Sequence, residues 1–468
     1  MSEPILAPII KADEPCFSLD SRIPQPEETQ PLLKHKNISK TCINPETCTD
    51  NIEIKSIKKS IEEKTDEEKI QDLLNWKKWE LSEKVEIRRG NYGLGVFAKE
   101  DLEKGETLFF APPEQTIMIT MAIEALESVI TDVDDVNEPL DCADTLSLFI
   151  LFELRKGDES ELWPYLATMQ KEYTTPLDYW PMELHDFLTP AAFDFLYLAT
   201  ADYVDSYKKL QKILEKYNVE EEEFHRAYSI VTTRYYYNDA PENHPDWFIS
   251  GLGEGDCGAL GPIFDLWNHE VKPNCDWEVG EGGAMKMTTD ESIAAGQELF
   301  ISYGVDENVR MAQTYGFTFS DVSKVEENIY LYKDEIVDAC VARLGKAREE
   351  CEEIASNALK QTGDEGGHID FNCGIESFVL ETVFDHDNPE DDDENAKTAR
   401  LYRGALFLIY RRREHLGNLL EEIEGANWDE QFLYHKEMAT NIARAEQVVV
   451  EKCMKQMENF ALGFERNA

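Results

Sequence analysis

The spacing of apolar positions changes period several times along the chain, and those changes divide it. Ile70, Leu73, Leu74 and Trp76 to Trp79 recur at helical spacing, so Asp66 to Glu80 reads as an amphipathic helix. Val85-Glu86-Ile87-Arg88 then alternates as a half-buried strand does. Gly90-Asn91-Tyr92-Gly93-Leu94-Gly95 makes a glycine-rich turn, and Val96-Phe97-Ala98 resumes a short strand. A turn at Lys104-Gly105 leads into another short strand ending at Phe110, closed by Pro112-Pro113. From about Met121 to Ile230 the pattern is mostly helical, with an apolar Leu146 to Leu154, a new segment opening at Trp163-Pro164-Tyr165, and a Tyr-rich helix over Phe195 to Leu214. Short strands and turns return from Ala259 to Tyr303. Beyond about Ser320, Ile336 to Lys360, Thr398 to Glu422 and Glu430 to Phe460 are long amphipathic stretches, interrupted by an acidic loop over Asp385 to Asn395. A long helical block between strand-rich pieces predicts an α+β fold in which the block is inserted into one domain.

Composition sharpens this division. Residues 1 to about 65 are rich in Pro, Glu, Lys, Thr and Asn without periodicity, and are expected to be disordered. The 468 residues suffice for two or three domains and a large core. Lys and Arg number 46 against 95 Asp and Glu, a net charge of −49. A field of that sign repels nucleic acid and anionic membrane and attracts basic protein segments. Much of the charge also serves simply to solvate exposed helices. No window approaches the run of about 18 apolar residues that argues a membrane span. The ten cysteines include no Cys-x-x-Cys pair, and Met1 to Pro15 lacks the pattern of a signal peptide. Free thiols in a reducing compartment, cytoplasm or nucleus, are therefore expected.

The candidate chemistry lies in the strand-rich pieces. Gly90, Gly93 and Gly95 suggest a phosphate cradle, but no helix follows to supply its N-terminus. The remaining readings are a close backbone approach to a small ligand or a plain hairpin. Asn268-His269 follows an apolar run, Pro273-Asn274 comes shortly after, and Tyr303-Gly304 ends another apolar run. A metal site of His269 with Cys275 lacks further ligands at suitable spacing. A Cys-His nucleophile pair of the same two residues lacks an oxyanion-hole signature.

Taken in order, the pieces are far more specific. Tyr92-Gly93-Leu94-Gly95-Val96-Phe97-Ala98, Lys104-Gly105-Glu106, Asp265-Leu266-Trp267-Asn268-His269, Pro273-Asn274 and Gly296-Gln297-Glu298-Leu299 through Tyr303-Gly304 resemble a SET-domain methyltransferase. The large helical insertion, the helix before the glycine turn and Tyr315-Gly316-Phe317 resemble the subfamily of the Rubisco large-subunit lysine methyltransferase, which includes the actin-histidine methyltransferase. That resemblance implies SET-type β-sheets with a knot-like crossing over 66–318, an insertion at about 121–230, and an α-helical substrate-binding domain over 319–468. It implies S-adenosylmethionine as cofactor, no metal, a protein substrate and a monomer. Tyr92, Gly93 and Leu94 would hold the cofactor by backbone groups, Arg234 would reach its carboxylate, and Asp265, Asn268 and His269 would complete the clamp. Tyr315, Gly316 and Phe317 would cover it, with Phe317 on the adenine, and Tyr303 would be the catalytic Tyr. Family members often carry a small residue before Gly316-Phe317, so Tyr315 would alter that cover.

At the position two beyond Arg234, the actin-histidine enzyme uses an Asn to seat its target, whereas this chain has Tyr236. An aromatic wall suits the aliphatic stem and charge of a lysine. Lysine is therefore favoured over histidine as the target. A protein-binding module without catalysis is the third alternative, and the intact Arg234, Asn268, His269 and Tyr303 argue against it.

Overall fold

The computed structural model describes residues 64–171, 173, 180, 182–239, 244–249, 256–305, 307–361, 368–370 and 394–465. The N-terminal segment expected to be disordered and most of the acidic loop lie outside the described residues. Two compact units are present, one of Thr49–Ile329 with Ile409–Asn459, the other chiefly Tyr330–Leu408.

The first unit opens with α1, Asp66–Trp76, which starts where Thr65 and Glu68 form a reciprocal capping box. The helix stops short of the Glu80 expected from the apolar pattern. Lys77 turns extended, and Trp79 folds back so that its indole N–H donates to the carbonyl of Leu73 at 2.8 Å. Glu80 and Leu81 instead form β1, followed by β2 (Val85–Gly90), β3 (Gly93–Ala98), β4 (Thr107–Ala111) and β5 (Ile117–Met118). The helical insertion comprises α2 (Ile119–Leu126), α3 (Cys142–Lys156), α4 (Trp163–Leu166), α5 (Pro190–Lys216) and α6 (Glu221–Thr232). Then come β6 (Tyr236–Asp239), β7 (Asp256–Leu260), β8 (Asn268–His269), β9 (Cys275–Val279), β10 (Met285–Thr289), β11 (Glu298–Ile301) and helix α7 (Asn308–Tyr315).

These strands make three small sheets, ordered β1-β4-β10-β9, β2-β3-β11-β8 and β5-β7-β6. The β2-β3 hairpin pairs Gly90 with Gly93, leaving only Asn91 and Tyr92 in the loop. Alternation along β10 buries Met285 and Met287, while fully buried Val96, Phe109, Trp267 and Leu299 line the same core. The insertion shares that core through Leu146, Ile150 and Phe224.

Cysteine chemistry departs from expectation at one place. Among the described residues Cys275, Cys340, Cys351 and Cys453 are free thiols, but Cys142, the first residue of α3, is disulfide-bonded. Sequence spacing carries no information on which sulfurs the fold brings to bonding distance.

In the second unit β12 (Tyr330–Tyr332) pairs antiparallel with β13 (His368–Asp370), around α8 (Lys333–Leu344) and α9 (Arg348–Gln361). The single apolar stretch expected over Ile336 to Lys360 is thus two helices. Gly345 divides them, because it adopts a left-handed conformation (φ 66°) and returns its N–H to Val341. Two long helices end the chain: α10 (Glu394–Gly425) and α11 (Leu433–Glu465). Their segments within the first unit are joined by a buried ion pair, Arg412 to Glu446, at 2.5 Å.

Candidate active site

The site forms where two strands meet in parallel. In β8 and β11, Asn268 stands opposite Phe300 and His269 opposite Ile301. The intervening chain leaves for another sheet as β9 and β10 before returning, the crossover that a parallel pairing requires. Asn274 secures the return. Its Oδ1 accepts the N–H of Phe300 at 2.8 Å and its Nδ2 donates to the carbonyl of Glu298 at 3.0 Å. The side-chain amide thus does the work of a missing strand residue.

Tyr303 lies just past β11. Its N–H donates to His269 Nδ1 at 3.1 Å, its ring stacks on the imidazole (5.0 Å, 27°), and its hydroxyl donates to the carbonyl of Trp267 at 2.9 Å. Because Nδ1 accepts, a neutral His269 carries its proton on Nε2. Burial drives the Tyr303 phenol well above its usual pKa, outweighing the nearby Arg234, so it is a neutral donor at ordinary pH. Cys275, the other half of a possible nucleophile pair, is buried, and burial pushes its thiol up to about 12. It is not a thiolate, so that reading has no support.

Asn268 faces the glycine turn. Its Nδ2 donates to the Leu94 carbonyl at 3.1 Å and to Glu298 Oε1 at 2.8 Å. The approach is so close that a Cβ on Gly95 would stand 2.4 Å from Glu298 Oε1 and 2.9 Å from Asn268 Nδ2. Gly95 is therefore glycine for space, whereas Gly93 is glycine for its left-handed φ of 100° in the hairpin.

Behind this pair lies a buried polar cluster. Ile263 holds φ 72° and ψ −47°, a strained γ-turn-like conformation for a β-branched residue that costs on the order of 1–3 kcal/mol. It turns the chain into the short helical turn Phe264–Leu266, which carries Asp265. Arg234 Nη1 donates to the Asp265 carbonyl at 3.0 Å and lies 3.3 Å from its Oδ2. Tyr165, from α4, donates its hydroxyl to the same Oδ2 at 2.5 Å. Burial alone would lower the pKa of Arg234, but Asp265, with Tyr173 and Tyr165 beside it, holds the guanidinium firmly charged. Burial likewise raises the Asp265 carboxyl, opposed by Arg234. Two fully enclosed atoms of this cluster, Arg234 Nε and Asp265 Oδ1, have no hydrogen-bond partner.

An aromatic group completes the site. Tyr315 lies 4.8 Å from the Tyr303 ring and 6.2 Å from Phe317; Phe317 and Phe319 lie 6.4 and 5.7 Å from His269. Gly316, left-handed at φ 73°, ends α7, and its carbonyl accepts the hydroxyl of Tyr434 from α11. Tyr92 is 56 % exposed at the hairpin tip, with its ring edge toward Phe300. Tyr236 stands apart from these rings. It is 5 % exposed, on the edge strand β6, with its ring against Phe264 at 5.8 Å.

The structure therefore gathers Asn268, His269, Tyr303, Tyr315 and Phe317, links Leu94 to Asn268, and joins Arg234 to Asp265. Three contributors carried no role in the sequence reading: Tyr165, Tyr173 and Glu298. Glu298 belongs to a quoted motif. Tyr165 sits 100 residues before its partner, and no local signal marks it.

Comparison with known proteins matches residues 93–304 to the family model of the SET domain, and the helical block lies within that stretch. Among curated proteins it is similar to SET domain-containing protein 4 of Artemia parthenogenetica, 25 % identical over 53 % of this chain and 62 % of that protein. It is also similar to a ribosomal lysine N-methyltransferase of Schizosaccharomyces pombe, 24 % identical over 51 % of this chain and 42 % of that one. The actin-histidine N-methyltransferase of Canis lupus familiaris is 27 % identical over 49 % of this chain and 39 % of its own. In each case less than two thirds of the relative is spanned. Among solved structures, the SET domain of LSMT bound to lysine and AdoHcy superposes with a TM-score of 0.54 at 16 % identity, covering 86 % of this chain and 94 % of that one. Rubisco LSMT bound to AdoMet gives 0.52 at 16 % identity, over 85 % and 93 %. The fold is that of these enzymes: SET sheets, an insertion and C-terminal helices.

Proposed function

We propose that this chain is an S-adenosylmethionine-dependent protein-lysine N-methyltransferase. The observation that carries the reading is the meeting of Asn268, His269 and Tyr303 at the β8–β11 pairing, with the neutral Tyr303 hydroxyl turned onto the Trp267 carbonyl. The residues present fit the cofactor. Arg234 offers a charged guanidinium for a carboxylate, Asn268 retains its Oδ1 for an amine, and the hairpin backbone at Gly93 has open space beside it. Bound there, S-adenosylmethionine supplies an electrophilic methyl group on a sulfonium.

The chain's own part is alignment. A methyl transfer is an in-line displacement that benefits from orientation and a dry path more than from strong acid or base. Tyr303 suits this, since its hydroxyl stays protonated and is fixed by a backbone carbonyl. Loss of water beside the packed rings of Tyr303 and Tyr315 would lower the pKa of an incoming lysine, helping it to arrive neutral. Tyr236 does not bear on the choice between lysine and histidine, because it is buried against Phe264 and stands apart from the rings beside Tyr303. The net charge of −49 supports a basic segment of a protein as substrate.

Incubating the protein with a labelled methyl donor and cell extract, followed by mass spectrometry, tests the reading. Methyl-lysine in a basic segment is the expected product, and methyl-histidine would overturn the target assignment. Tyr303→Phe is expected to lower the rate by about 10²-fold or more; full retention would reject its role. A rate on basic peptide that does not fall with salt would reject charge steering.

A further inference from the structure

Both donors of the Asn268 amide are taken, and by groups of one kind. Nδ2 meets the Leu94 carbonyl at 3.1 Å and Glu298 Oε1 at 2.8 Å. A carbonyl only accepts, and an ionised carboxylate only accepts. Two acceptors on one side decide which end of the amide faces them, a choice that shape alone leaves open. Oδ1 is therefore the end left over to receive a donor. We propose that Glu298 is a positioning residue that fixes the amide orientation of Asn268, so that Oδ1 accepts from the ammonium of the cofactor's amino-acid arm. This rests on the cofactor reading above.

Glu298 is itself closely held. It belongs to β11, opposite Phe97 of β3, and its carboxylate lies on the glycine strand. A Cβ at Gly95 would be 2.4 Å from Oε1, and one at Gly90 would be 3.2 Å from Oε2. Arg88 stacks on the Phe97 ring at 3.4 Å; burial raises the Glu298 carboxyl, and the Asn268 amide and the charge of Arg88 oppose that rise. Gly95 thus makes room for a carboxylate of the protein itself, and Gly90 chiefly for the Phe97 ring, which a Cβ there would meet at 2.7 Å. A leucine or alanine at 298 would free the Asn268 amide to turn over.

The test compares two ligands on the full chain by calorimetry: S-adenosylhomocysteine, which has the amino-acid arm, and 5′-methylthioadenosine, which lacks it. Glu298→Ala is expected to weaken S-adenosylhomocysteine by roughly 10- to 100-fold, the range for losing a charged hydrogen-bond partner. The methylthioadenosine affinity should stay within about twofold. Glu298→Gln keeps an acceptor but adds a donor that competes for Oδ1, so it should fall between wild type and Glu298→Ala. Equal losses for both ligands would show that Glu298 only supports the strand, and no loss for either would show that Asn268 needs no such partner; each overturns the proposal. A wild type that binds neither ligand would instead remove the cofactor reading, and the proposal with it.

Discussion

Two polar clusters flank the site, and they are built on opposite terms. Around Asn268 both amide donors are used, by Leu94 and Glu298, and the partners are half-buried. Around Arg234 and Asp265 the side chains are 17 % and 4 % exposed, yet two enclosed atoms, Arg234 Nε and Asp265 Oδ1, remain without partners. Buried polar atoms are ordinarily paired, so an exception marks a place where function outweighs stability. The saturated cluster holds a shape; the enclosed one stores charge for use. A shape-holding cluster should tolerate isosteric change, and a charge-storing one should not.

The largest effect should come from the enclosed cluster. Arg234→Met leaves Asp265 as an unpaired buried carboxylate and should cost about 3–5 kcal/mol in a denaturant titration. Adding Asp265→Leu should recover much of that stability without recovering S-adenosylhomocysteine binding. Recovery of both would mean that the pair is only structural. Next, Gly95→Ala drives a methyl into Glu298 and Asn268 and should cost about 1–3 kcal/mol while weakening the same ligand; unchanged calorimetry would break the claim that the saturated cluster shapes the pocket. Tyr165→Phe, which removes one donor from Asp265, should cost about 1 kcal/mol by thermal unfolding.

The smallest effect is a pH dependence. Burial raises the Glu298 carboxyl from its ordinary pKa, opposed by Asn268 and Arg88, with the neutral Tyr303 nearby. The folded chain then holds this proton more tightly than the unfolded one, so raising pH across the gap lowers stability. Ligand affinity should move the other way. It should fall as pH drops through the raised pKa, since a protonated Glu298 can donate to Asn268 Oδ1. In Glu298→Gln that acid limb should be flat, measured by calorimetry from neutral to acid pH.

Parts of this arrangement are legible in the amino-acid sequence. Period changes located the insertion, and the ordered motifs around Gly93, Asn268 and Tyr303 named the pieces that the β8–β11 pairing joins. What stayed hidden has one physical character. Tyr165 meets Asp265 across 100 residues, and the role of Glu298 depends on which face of β11 meets the glycine strand. Such contacts are set by tertiary packing, which leaves no period or local composition behind. The same holds for the bond at Cys142. The division of the long apolar stretch at Gly345 had a visible cause, since a glycine there permits the left-handed stop.

The hydroxyl of Tyr434 on the Gly316 carbonyl has a practical consequence for modularity. The family match ends at Gly304, but the rings that stand over His269 come from Phe317 and Phe319, and the residue that ties their turn comes from α11. Asn308 adds a second tie, since its amide bonds both the backbone of Phe319 and the carbonyl of Asn441. A truncation at the end of the match would keep Tyr303 and lose its roof. The smallest autonomous piece able to enclose a ligand is therefore discontinuous in sequence, and deletions near the C-terminus should be judged as active-site lesions.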